Sequence, residues 1–93
     1  MGKEVLKIEK REYGFGLRIG NESYFISDKG SGWFALLIKN EDGEVTNIID
    51  DKYENLGAEN LEDLLCKLVT RPSETLEMLI GGKRDIKKVV VYY

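Results

Sequence analysis

Few of the 93 residues carry side chains at a spacing that suggests chemistry. The stretch DKGSGWF, residues 28–34, sets Lys29 and Ser31 among two glycines, a composition that can hold a phosphate in a nest of backbone amides. A Walker loop, however, runs G-x-x-x-x-G-K-[ST] between a strand and a helix, so that the helix N-terminus faces the anion. Here the lysine precedes the glycines and a strand-like apolar run follows. The stretch is expected to be a flexible corner between two strands, and any ligand role would rest on Lys29, Ser31 and Trp33. A second glycine turn, GGKRDIKK, groups Lys83, Arg84, Lys87 and Lys88. It reads as a solvated entry to a strand. An anion or nucleotide site, with weak hydrolytic activity at most, would need Lys83 and Arg84 to stand beside Lys29 and Ser31.

Asp50, Asp51 and Glu54 form a compact carboxylate group. Magnesium takes such oxygen ligands, but consecutive strand residues point to opposite sides, so Asp50 and Asp51 converge only in a loop. A solvated loop without a metal is expected. Histidine is absent, which removes the commonest general base and metal ligand. The single cysteine, Cys66, flanks a helical apolar stripe and is expected to be buried, with no histidine to activate it. No catalytic residue, metal or cofactor follows from this inventory, and a non-enzymatic role is favoured.

The elements that must position these groups are legible from period. In YGFGLRI, Tyr13, Phe15, Leu17 and Ile19 occupy alternate positions, the mark of a half-buried strand with its aromatics toward the core. Gly20-Asn21 suits a tight hairpin, and ESYFIS returns. A two-residue turn then pairs Ile19 with Glu22, Leu17 with Tyr24 and Phe15 with Ile26, and lays Phe25 across Gly16, covering backbone that glycine leaves bare. EVLKIEK supplies a strand ahead of this ribbon. WFALLIK, apolar on both parities, is expected to be an interior strand covered on both faces. Asn40-Glu41-Asp42-Gly43 turns it into EVTNII.

The period then changes. Leu61, Leu64, Leu65, Leu68 and Val69 follow helical spacing, with Asn60 as cap. Pro72 ends this helix and opens a second one, SETLEMLI, which stops at Gly81-Gly82. IKKVVVYY reads as a last strand inside the sheet, parallel to one neighbour. The expectation is one domain, residues 1–93, of the α+β class. It has a mainly antiparallel sheet of five to six strands, two helices packed on one face, and the order βββββααβ.

Arg11–Ile19 is similar to the RNP1 strand of RNA-recognition motifs, but Glu12 stands where that pattern has glycine and Gly16 where it has valine, and the resemblance is rejected. The net charge of −3 argues against nucleic acid as a partner. It is unevenly spread: residues 40–63 hold nine carboxylates against Lys52 alone, a net −8. These features point to a protein-binding module, a small acidic inhibitor or adaptor, engaging a basic protein surface through Asp50, Asp51, Glu54, Glu59, Glu62 and Asp63. In size and charge it resembles inhibitors of viral or mobile-element origin that occupy basic surfaces of host proteins. Free sheet edges suggest a homodimer. Without a long apolar run or a signal-like leader, a soluble cytoplasmic protein with no membrane contact is expected.

Overall fold

The structure, a computed structural model, describes residues 3–93. Strands β1 (Glu4–Arg11), β2 (Gly14–Ile19), β3 (Glu22–Gly30), β4 (Trp33–Lys39) and β5 (Val45–Lys52) come first. A 3-10 turn (Tyr53–Leu56), helix α1 (Leu61–Thr70), helix α2 (Pro72–Ile80) and strand β6 (Ile86–Tyr92) follow. The strands form one sheet in the order β5-β4-β3-β2-β1-β6. Every pairing is antiparallel except β1 with β6, which the helical crossover makes parallel.

The β2–β3 ribbon has the register that its turn dictates: Phe15 pairs with Ile26, Gly16 with Phe25, Leu17 with Tyr24 and Ile19 with Glu22. Gly20 takes φ +58°, which a two-residue hairpin with glycine first requires. The Phe25 ring lies over Gly16, 3.6 Å from where a β-carbon would stand. At the β4–β5 turn, Gly43 donates to the Asn40 carbonyl at 3.0 Å. Asn60 caps α1 by accepting from the Asp63 amide at 2.9 Å. α1 stops at Thr70 and Pro72 opens α2.

The helices cover one face of the sheet. Leu64, Leu68, Leu76 and Leu79 close over Leu6, Ile8, Phe15, Leu17, Ile19, Ile26, Phe34 and Leu36, all buried. At roughly 1.5–3 kcal/mol for each fully buried side chain of this kind, this layer is the main source of stability.

Four expectations need correction. Tyr13 is 71% exposed, because it lies in the β1–β2 turn rather than continuing the alternation of β2. Cys66 is exposed, since the buried stripe of α1 centres on Leu64 and Leu68 and even Val69 lies outside it. Strand β4 is interior to the sheet, but the helices cover only one of its faces, leaving Leu37 half-buried. Strand β6 stands at an edge; Val89 and Val91 pack on the core while Val90 takes the other parity.

Candidate functional site: an acidic end beside a pinned hairpin

Strand directions sort the loops into two ends. One end gathers the β1–β2 turn, the β3–β4 hairpin, the 3-10 turn and the start of α1. The other gathers Gly20-Asn21, the β4–β5 turn and residues 81–85.

At the first end, Ser31 (φ 56°) and Gly32 (φ 84°) form a two-residue hairpin with both central residues left-handed, closed by the Gly30–Trp33 pair. The corner expected to be flexible is instead tied down. Tyr53, nearly fully buried, donates its amide to the Gly32 carbonyl at 3.0 Å and its hydroxyl to Asp28 Oδ1 at 2.7 Å. Its ring packs on Phe34, with centroids 5.1 Å apart. Burial first, and then the bond to the Asp28 carboxylate, push the Tyr53 phenol well above its ordinary range. Around this anchor, Trp33, Glu54 and Glu59 line one shallow recess, and Glu59 and Glu62 border another beneath Ser31. Trp33 is 40% exposed, with the Lys52 ammonium 5.3 Å from its ring centroid.

The six carboxylates expected to act together divide. Glu54, Glu59 and Glu62 share this end and are exposed. Asp63 is structural, accepting from the Glu59 amide at 2.9 Å. Asp50 and Asp51 lie in strand β5 rather than in a loop, and so point to opposite sides. Asp51 is engaged by Asn55 Nδ2 at 2.6 Å, and Asp50 faces Lys29 across 3.4 Å. Among the described residues no three His, Cys, Asp or Glu side chains are placed to hold a metal ion.

The two glycine turns do not meet. Arg84 lies at the opposite end, donating to both Glu22 oxygens at 2.6 and 2.8 Å, with Glu4 at 3.8 Å. These bonds, together with one from the Tyr24 hydroxyl, hold the Glu22 carboxyl below its usual range. Glu22 and Lys29 stand seven residues apart along β3, about 23 Å at the usual strand rise. Lys83 and Arg84 therefore do not converge with Lys29, Ser31 and Trp33. Neither the Tyr53 anchor nor the Arg84 clamp was anticipated, because each joins residues far apart in the chain that no local pattern links.

Among the described residues no helix is long and apolar enough to cross a membrane. Compared with known protein families, with characterised proteins and with solved structures, the chain finds no match.

Proposed function

We propose that the chain is a non-enzymatic protein-binding module, an acidic inhibitor or adaptor, whose contact surface is the end formed by the β3–β4 hairpin, the 3-10 turn and the start of α1. The observation supporting this is the placement of exposed Trp33 beside Glu54 and Glu59 on a hairpin fixed by Tyr53. Tryptophan is a preferred interface anchor, and a carboxylate rim steers a basic partner and fixes its orientation. Asp50 stands outside this surface, so the working set is Glu54, Glu59 and Glu62 with Trp33. An anion site shared by the two glycine turns gains no support from their separation. Along the unpaired β5 edge, Val45, Ile48 and Ile49 are exposed, and a two-fold homodimer would cover them.

The test is a quantitative capture experiment from native host extract with three baits: the wild-type chain, Glu54→Lys/Glu59→Lys, and Asp50→Lys. A partner retained by the wild type and by Asp50→Lys, lost from the double variant and weakened by added salt supports the proposal. Equal retention by all three baits refutes it.

A further inference from the structure

The sheet face away from the helices carries a charge pattern opposite to that of the chain as a whole. Alternation in β1 sends Leu6 and Ile8 inward and leaves Lys7, Glu9 and Arg11 on the other side. Cross-strand pairs share a face, so the register continues this surface across the sheet. Lys7 pairs with Arg18, Arg18 with Ser23 and Ser23 with Lys39, a polar row over four strands. Lys88 joins from β6 through its pairing with Val5. Five cations thus meet Glu9 and, at the far margin, Asp50, which Lys29 already faces. Lys7, Arg18, Lys39 and Lys88 have no carboxylate partner among the described residues. A shallow groove runs between Lys7, Arg11, Arg18, Phe25 and Lys39, with Glu9 as its one carboxylate. In it the Arg11 guanidinium lies 5.2 Å from the Phe25 ring centroid and 3.5 Å from the Glu9 carboxylate.

We infer that this face binds single-stranded nucleic acid. A row of unpaired cations supplies phosphate neutralisation, the main source of such affinity. The Arg11 guanidinium beside the Phe25 ring offers planar groups on which bases stack, a contact that carboxylate side chains cannot use. An acidic peptide fits the face less well. The main-chain donors and acceptors of interior strands are already spent in the ladder, so an extended peptide laid across them finds no backbone partners. The acidic end lies outside this groove, so the two surfaces can be occupied independently.

Fluorescence anisotropy of a labelled oligothymidylate of about 15 nucleotides, within the usual span of a single-strand-binding domain, reads the inference directly. Binding should weaken steeply with salt. Arg18→Glu/Lys39→Glu should lower affinity at least about tenfold and flatten the salt dependence. Arg11→Lys, which keeps the charge and removes the plane, should lower affinity several-fold. Glu59→Lys, at the acidic end, should not weaken it. Three results would overturn the inference: no binding at low salt, unchanged affinity in the double variant when its melting temperature matches the wild type, or displacement of the oligonucleotide by polyglutamate at equal charge concentration. The last would make the groove an acidic-peptide site.

Discussion

The acidic end and the open sheet face are built by opposite means. The end is irregular backbone, a hairpin, a 3-10 turn and a helix start, held in place by side-chain bonds: Tyr53 to Asp28, Asn55 to Asp51, and Asp63 to the Glu59 amide. The face rests on the backbone ladder, and among the described residues Lys7, Arg18, Lys39 and Lys88 make no ion pair that holds it. A few side-chain bonds therefore organise the first surface, whereas only a change at backbone level disturbs the second. The contrast also shows how little net charge says about a surface. The −3 of the whole chain conceals a cationic sheet face, because alternation in β1 and β2 puts Lys7, Arg11 and Arg18 on one side, while most of the carboxylates fall in β5, α1 and the turns around them.

The strongest way to break the face is at Gly14. A β-carbon there would overlap the Ile26 carbonyl oxygen, so the β2–β3 strands would have to part. Gly14→Ala should cost about 3 kcal/mol or more, an overpacking penalty taken by backbone that has no rotamer to yield. For a domain of this size that is a fall of at least about 12 °C in melting temperature. Gly16→Ala is the control: its β-carbon meets the Phe25 ring and the Arg11 side chain, both at ordinary contact distance, and its melting temperature should stay close to wild type. A mild Gly14→Ala variant would show that the ribbon yields more readily than the ladder suggests.

The glycine pair also shows what the sequence could reveal. Gly16 was explicable in advance because the Gly20-Asn21 turn fixes a register and the register places Phe25. The helix stripe, the Asn60 cap and the Pro72 break were legible for the same reason: each is a short-range rule. Residue type predicts a buried Cys66, but the depth of the α1 stripe decides its exposure. The alternation of β2 predicts a buried Tyr13 only because it is carried into the β1–β2 turn. The edge position of β6 depends on where the helical crossover lands, which no local pattern contains. The cationic face was within reach, since Lys7, Glu9 and Arg11 alternate against Leu6 and Ile8, but it emerges only once β1, β2 and β4 are in register. The carboxylates of residues 40–63 are continuous in sequence yet fall on different surfaces, because Asp50 and Asp51 sit in a strand.

Removing one hydroxyl from the acidic end sharpens the comparison at intermediate cost. Tyr53→Phe keeps the packing on Phe34 but loses the bond to Asp28, a charge-assisted contact worth about 1.5 kcal/mol. Because folding raises the phenol's pKa, this contribution is complete below the ordinary tyrosine range and fades as pH climbs above it. Urea titrations should therefore separate wild type from Tyr53→Phe at neutral pH and bring them together as pH rises beyond about 10. With the hairpin loosened, capture of a protein partner should fall while oligothymidylate binding holds. Joint loss of both would mean that the two surfaces are one.

The smallest effect belongs to the far end, where Arg84 joins the entry of β6 to Glu22 on β3 and so holds the strand that brings Lys88 to the face. Glu22 is partly exposed, and solvent screening limits such a pair to roughly 1 kcal/mol even with two parallel bonds. Its sign with pH is opposite to that of Tyr53. The Arg84 bonds lower the Glu22 pKa, so the stabilisation is present above the ordinary carboxylate range and disappears as pH falls through the lowered value. Glu22→Gln should melt below wild type at neutral pH, and the gap should close on acidification past the usual glutamate pKa of about 4.3. A gap that stays constant down to strong acid would assign the loss to packing of the β6 entry rather than to the charge pair.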